Sequence, residues 1–247
     1  RLETRLIDPS ALAANLKAQD FELKALLNGK FSELRYQYLL TAPQLALGKT
    51  LLTNVRGEGE GQRDAGGWSI PVELSVAKLI GNGELLQQLL SGFNAKALLR
   101  YENDLLFAER ARVATNVAKG TLDLELRPST GDFSVDIDAN APGFAVRGVG
   151  VADIVASINL GPASSGLSVD GQVNARLRRF DIGFLRELAG GLPELQTGLA
   201  LGPDGLLRFT DLVVKAPEIS FRGSGKQTGA ATFAFQGSGR QDTYGRL

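Results

Sequence analysis

The residue types that most enzymes use for catalysis are sparse in this sequence of 247 residues. Histidine and cysteine are both absent, which removes the commonest general base, the commonest metal ligand and the thiol nucleophile. No disulfide can form, so the cysteine count leaves the redox compartment open. We therefore expect no catalytic residue, no metal site and no cofactor, and we do not expect the chain to be an enzyme.

Two other patterns could hold a ligand. Asp132, Asp136 and Asp138 form an acidic cluster, but they lack the loop of a calcium-binding EF-hand, and their spacing predicts the polar face of a strand. Residues 57–61 read Gly-x-Gly-x-Gly, similar to a phosphate-binding loop, but no helix N-terminus follows them. We interpret these glycines as a flexible stretch, a strand end or a bulge.

The charge of the chain is balanced, with 27 acidic and 27 basic residues. Nucleic-acid-binding domains usually carry a basic excess, so we expect no nucleic-acid partner and no polybasic membrane surface. The sequence contains no apolar run of about 18 residues that could cross a bilayer as a helix. Because it begins with Arg1 and without a signal peptide, we expect a fragment of a longer protein.

Apolar residues at every second position are the strongest pattern in the sequence. A period of two places such residues on one face of a strand. We therefore predict a mostly β fold, a long curled antiparallel sheet that forms an open, repeat-built groove with an apolar face. The predicted lining residues are Trp68, Ile70, Val72, Leu74, Val76, Leu122, Leu124, Leu126, Phe133, Val135, Ile137, Phe233 and Phe235.

Short helices are expected to interrupt these strands. Three amphipathic helices are predicted, near residues 9–18, 83–90 and 182–189. Asp181 is a candidate N-cap for the third helix, Gly190 is expected to end it, and Pro43 is expected to interrupt a strand. The turn and strand pattern of residues 102–137 returns at residues 203–235, at an offset of about 100 residues. We predict one continuous repeat-built unit over residues 1–247.

An apolar sheet face has two physical solutions. Two sheets can pack face to face and fill the interior with side chains. Alternatively, an open sheet can leave the face to a ligand such as a lipid tail, which gains about 0.8 kcal/mol for each buried CH₂. The alternation is the same in both cases, so the pattern leaves both structures open.

Several segments resemble the C-terminal region of TamB-family proteins, of the AsmA-like superfamily. These segments are residues 180–193 (FDIGFLRELAGGLP), 202–205 (GPDG), 212–217 (LVVKAP), 9–16, 37–47 and 237–245. The last of them is similar to the same region in alphaproteobacterial members. Together the segments extend over most of the chain.

The resemblance implies a location and a function. It implies a taco-like β-groove in the periplasm of a Gram-negative cell, in a protein that is anchored in the inner membrane. The implied role is to conduct phospholipids between the inner and outer membranes, with acyl chains in contact with the groove. The implied partner is an outer-membrane Omp85-type barrel, TamA, reached through parts outside this chain. The alternative is a chaperone that guides outer-membrane β-barrel proteins together with that partner.

Overall fold

The fold is known from a computed structural model, and its chain forms two compact units. Unit 1 covers Arg1–Phe133 and unit 2 covers Ser134–Leu247. The structure describes residues 2–7, 16–47, 50–80, 91–146, 148–163, 166–201, 206–229, 232–243 and 245–246.

Unit 1 is a meandering antiparallel sheet. Its strands are β1 (Leu2–Leu6), β2 (Leu16–Gln19), β3 (Glu22–Asn28), β4 (Arg35–Leu47), β5 (Thr50–Asp64), β6 (Gly67–Val76), β7 (Lys78–Ile80), β8 (Phe93–Glu102), β9 (Leu105–Ala114) and β10 (Lys119–Arg127). The main order of pairing is β1-β3-β4-β5-β6-β8-β9-β10, while β2 pairs with the end of β4 and β7 with the start of β5. A 3₁₀ turn, Phe31–Glu33, connects β3 to β4.

Unit 2 repeats this plan, because each strand pairs antiparallel with the next along the chain. Its elements are β11 (Asp132–Val146), β12 (Gly150–Ala163), β13 (Gly166–Phe180), α1 (Gly183–Ala189), β14 (Glu194–Leu201), β15 (Leu207–Lys215), β16 (Ile219–Gly229), β17 (Thr232–Gln241) and β18 (Gly245–Arg246). Strand β11 begins just before the boundary between the units. The predicted mostly β fold with an open antiparallel sheet is confirmed.

Bulges interrupt the ladders in both units, and each adds one residue to a strand. In β9 the extra residue lies at Arg110, with φ 50°, and in β15 at Asp211, also with φ 50°. These two positions are equivalent in the predicted repeat. In β11 the bulge contains Gly143, with φ 65°. Since a bulge bends its strand and increases the local twist, these positions are where each sheet curves.

Each unit contains a small set of buried residues. In unit 1, Phe21, Ala42, Val55 and Val76 form one buried cluster. In unit 2 the buried residues include Ala141 and Phe144, which flank the bulge at Gly143, and Leu212, which follows Asp211. In unit 2 these buried side chains therefore lie where β11 and β15 are bulged.

Two predictions about strand interruptions are wrong. Residues 57–61 neither form a loop nor end a strand, because they lie in the middle of β5, paired with β4. Their glycines alternate with Glu58 and Glu60, which keeps the period of two. Pro43 does not end its strand either: β4 continues through it, and the ladder simply omits the pair formed by Pro43 and Asn54. A ladder position without a hydrogen bond tolerates the missing proline N–H.

The predicted helices have different outcomes. Helix α1 occupies Gly183–Ala189, and Gly190 ends it in the left-handed conformation as expected. Asp181 does not cap it: Ile182 is the N-cap, and both Asp181 carboxylate oxygens instead accept hydrogen bonds from Arg179. The predicted helix near residues 9–18 is wrong over its described end, where β2 begins at Leu16, and residues 8–15 lie outside the described part. The helix predicted near 83–90 also lies outside it.

Candidate functional site

The alternating residues of unit 1 form one face that continues across neighbouring strands. Trp68 in β6 lies opposite Tyr101 in β8, Tyr101 lies opposite Leu106 in β9, and Leu106 lies opposite Leu126 in β10. Residues that oppose each other in an antiparallel ladder project to the same side. The predicted lining residues on this face are Trp68, Ile70, Val72, Leu74, Val76, Leu122, Leu124 and Leu126.

Unit 2 has an equivalent face. One row of directly opposed residues crosses seven strands, through Ile137, Ile158, Gly171, Leu199, Phe209, Gly225 and Phe235. Val135 and Phe233 lie on the same face, opposite Leu160 and Gln227. Phe133 precedes the unit boundary and is in phase with Val135 along β11. Within each unit the register therefore brings the predicted lining residues together.

Most side chains of this face are neither buried nor fully exposed. Trp68, Ile70 and Leu124 are half-buried, whereas Phe233 and Phe235 are 42% and 55% exposed. Side chains between two packed sheets would be buried at the density of a protein interior. In the described part of the chain, most of the face therefore remains accessible. Val76 is an exception among the predicted lining residues, because it is 5% exposed and belongs to the core cluster.

Three phenylalanines form an apolar cluster on this face of unit 2. The rings of Phe209 and Phe233 are 5.7 Å apart, those of Phe209 and Phe235 are 5.9 Å apart, and those of Phe233 and Phe235 are 6.4 Å apart. A shallow depression of about 350 Å³ lies beside Phe209 and Phe235, and its lining also includes Arg208, Lys226 and Gln236. These rings offer contact area to an apolar ligand but few directional polar groups.

Two tyrosines cross a glycine-rich strand in unit 1. Tyr36 and Tyr38 of β4 lie opposite Gly61 and Gly59 of β5. Their rings pass over these glycines, where a Cβ atom would overlap them. Aromatic side chains on a neighbouring strand commonly cover strand glycines in this way. The absence of glycine side chains therefore makes room for the tyrosines rather than for a phosphate.

The tyrosine hydroxyls form hydrogen bonds where the backbone ladder of the sheet is interrupted. The ladder of β5 and β6 is interrupted around Pro71, which has no N–H to donate. Tyr36 donates a hydrogen bond to the carbonyl oxygen of Ser69 at 2.8 Å, and Tyr38 donates one to the carbonyl oxygen of Pro71 at 3.0 Å. Burial, and then the neighbouring Tyr38, raises the pKa of Tyr36 to about 12. Burial, and then Glu58, also raises the pKa of Tyr38 above its ordinary value.

An arginine lies at the end of the same face, beside aromatic rings. Arg63 of β5 is opposite Trp68 of β6. Its guanidinium carbon is 4.2 Å from the ring centroid of Phe31 and 5.5 Å from that of Trp68. Arg63 Nη1 donates a hydrogen bond to the carbonyl oxygen of Phe31 at 3.0 Å. The rings of Tyr36 and Trp68 are 5.8 Å apart, so the corner is mainly aromatic.

The acidic residues lie on the opposite, polar face, as their spacing predicts. Asn159 Nδ2 donates to Asp136 Oδ1 at 2.7 Å, and Ser157 Oγ donates to Asp138 Oδ1 at 2.5 Å. These cross-strand hydrogen bonds explain the carboxylates as part of a solvated face. Among the residues that the structure describes, no group of three or more acidic side chains could hold a metal ion.

Sequence reasoning missed Tyr36, Tyr38 and Arg63. A usable signal was present in the sequence, because Tyr36-x-Tyr38 and residues 57–61 both have a period of two. Tyrosines in phase with glycines on the next strand indicate rings that lie over the glycines. Nothing in the alternation itself indicates that Arg63 belongs to the apolar face.

Comparison of the chain with protein-family models, curated proteins and solved structures finds no match. The resemblance to TamB-family proteins therefore stays a prediction from the sequence. Within the described residues, no helix has the length and apolar character needed to cross a membrane.

Proposed function

We propose that this chain is a segment of a protein that conducts phospholipids between two membranes along the apolar faces of its sheets. The observation that carries the proposal is the incomplete burial of these faces. Within unit 2, uncharged residues directly oppose one another from Ile137 to Phe235, and the last of them is 55% exposed. Such a surface supports non-directional contact with acyl chains better than recognition of a polar ligand.

The energetics of transfer favour a continuous apolar surface. An acyl chain that leaves a bilayer loses about 0.8 kcal/mol of stabilisation for each CH₂ that enters water. A row of half-buried apolar side chains replaces part of that burial at every step along it. A lipid can therefore move along the row without a large free-energy barrier, while its headgroup stays in water.

The location and partner in this proposal come from the resemblance to TamB-family proteins. The chain lies in the periplasm, and the intact protein is anchored in the inner membrane. An Omp85-type barrel in the outer membrane is the partner, and parts outside this chain contact it. The balanced charge of the chain is consistent with a passive surface that attracts neither nucleic acid nor anionic membranes.

A second candidate function is a chaperone that guides the strands of outer-membrane proteins. One observation favours it: in the described part of the chain, β18 opposes only Arg240 and Gln241 of β17. Residues 232–239 of β17 thus present an edge on which another strand could add by backbone hydrogen bonds.

Photocrosslinking discriminates between the two candidates. A photoreactive amino acid at Leu124, on the apolar face, should yield phospholipid adducts in cells that produce the intact protein, as detected by mass spectrometry. The matched control is Glu125, the exposed neighbour on the opposite face. Polypeptide adducts at Leu124 would favour the chaperone. Equal lipid labelling at Leu124 and Glu125, or none at Leu124, would contradict the lipid proposal.

A further inference from the structure

The apolar face of unit 1 carries a single charged side chain among the described residues of its strands. The register places Gly57, Gly59 and Gly61 of β5 on this face, and Arg63 follows them in the same phase. All the other charged side chains of these strands project to the opposite face or lie at strand ends. Since an isolated charge beside apolar surface is costly to desolvate, its position requires an explanation.

The contacts of Arg63 hold its guanidinium in place without neutralising it. The rings of Phe31 and Trp68 lie 6.4 Å apart, and the guanidinium carbon is within 5.5 Å of both centroids. Its one hydrogen bond to a described residue goes to the Phe31 carbonyl oxygen. No carboxylate among the described side chains forms an ion pair with it. One of the five guanidinium N–H donors is used in that hydrogen bond, and the others make no hydrogen bond to a described residue.

An apolar row leads away from this charge. Trp68, Ile70, Val72 and Leu74 follow one another along β6 at every second position. The path from Trp68 to Val76 is about 26 Å long at the rise of a strand. It exceeds the depth of one leaflet of a bilayer, which is about 15 Å of hydrocarbon. A cationic fork at the end of an apolar row is complementary to a molecule with an anionic head and an acyl tail.

We propose that Arg63 binds the headgroup phosphate of a phospholipid whose acyl chain lies along β6. This inference rests on the proposed function and names the part of the lipid that the site recognises. The planar fork of arginine matches phosphate oxygens in a bidentate manner, and the two rings orient it beforehand. Unit 1 therefore selects amphiphiles that carry a phosphate over neutral ones.

Trp68 provides the measurement, because it is the single tryptophan of the chain and lies beside Arg63. The chain is titrated with dodecyl phosphate, dodecyl maltoside and inorganic phosphate below the micellar concentrations, and Trp68 fluorescence is recorded. We expect dodecyl phosphate to bind about tenfold more tightly than dodecyl maltoside, as one charge-assisted hydrogen-bonded contact allows. Arg63→Gln should remove this preference, and Arg63→Lys should retain only part of it.

Arg100→Gln is the matched control, because Arg100 lies in β8 opposite Ser69, on the other face of the sheet. The preference should survive in that variant. Persistence of the preference in a folded Arg63→Gln variant, or its full retention in a folded Arg63→Lys variant, would overturn the headgroup site alone. Equal binding of the two detergents to the native chain would have the same consequence. Saturation by inorganic phosphate at the same concentration would assign the site to free phosphate and overturn it too. Failure of both detergents to bind would overturn the proposed function itself.

Discussion

In both units an aromatic ring lies over a glycine of the neighbouring strand, but only the ring in unit 1 also forms a hydrogen bond. In unit 1, Tyr38 crosses Gly59 and its hydroxyl bonds the backbone of β6. In unit 2, Phe235 crosses Gly225 and ends in no polar group. The hydroxyl fixes one ring as part of the sheet, whereas the other ring stays 55% exposed. The rings on the face of unit 1 are therefore held in one orientation by hydrogen bonds, whereas the exposed rings of unit 2 can change orientation.

The largest expected effect is the difference in stability between substitutions of Gly59 in unit 1 and Gly225 in unit 2. In Gly59→Ala, the new Cβ would overlap the Pro71 carbonyl oxygen and the Tyr38 ring, and neither can move without losing their hydrogen bond. We expect a loss of about 3 kcal/mol in the free energy of unfolding, measured by denaturant titration. In Gly225→Ala, the exposed Phe235 ring can rotate away, so we expect about 1 kcal/mol or less.

Gly57→Ala is the control for this pair. A Cβ there would meet Leu40 at 3.5 Å and Leu74 at 3.8 Å, which are ordinary contacts. We expect stability to be unchanged or raised by up to about 1 kcal/mol, since glycine weakens a strand. Equal costs at Gly59 and Gly225 would show that the two faces are equally rigid.

An intermediate effect is expected from the hydroxyl alone. Tyr38→Phe keeps the ring over Gly59 but leaves the Pro71 carbonyl oxygen without its donor. The expected cost is about 1 kcal/mol in the free energy of unfolding. Amide hydrogen exchange should increase in β6 and remain unchanged in unit 2. A variant as stable as the native chain would mean that the ring is held by packing rather than by its hydroxyl.

The smallest expected effect concerns the bulges. In unit 2, Asp153 Oδ1 accepts the Gly143 N–H at 2.8 Å, and Arg178 Nε donates to Asp153 Oδ2 at 2.7 Å. The Arg178 hydrogen bond, followed by the one from Gly143, lowers the pKa of Asp153 below its ordinary value. A lowered pKa in the folded state means that the contribution is complete above the ordinary pKa and is lost as the pH falls through the lowered one.

Acid titration with Arg178→Gln tests this arrangement. The amide chemical shift of Gly143 should change at a higher pH in the variant than in the native chain, because the donor that lowers the Asp153 pKa has been removed. The internal control is the amide of Arg110 in unit 1, which donates to Asp123 Oδ1 at 2.5 Å, and its chemical shift should be unaffected by the substitution. Identical Gly143 profiles would exclude Arg178 as the cause.

The alternation predicted the strands well because it records which side chains leave water, and that is a property of each position. Trp68 and Ile70 could therefore be assigned to one face without a structure. The bulges could not be predicted in this way: nothing in the types of Arg110 or Asp211 requires the left-handed conformation that they adopt. Pairing across strands was the other limit, because the Tyr38 ring meets Gly59 only through the β4–β5 register.

The bulges determine which single-residue deletions and insertions the strands can tolerate. Along β15, Phe209 is odd-numbered and the buried Leu212 is even-numbered, and both serve one face because Asp211 is the additional residue between them. Asp211 thus shifts the alternation of side chains between the two faces of β15 by one residue. Deletion of Asp211 alone would move the side chains on one side of it to the opposite face of the sheet, although the rest of the sequence would be unchanged. A compensating one-residue insertion nearby would return every later side chain of that strand to its original face.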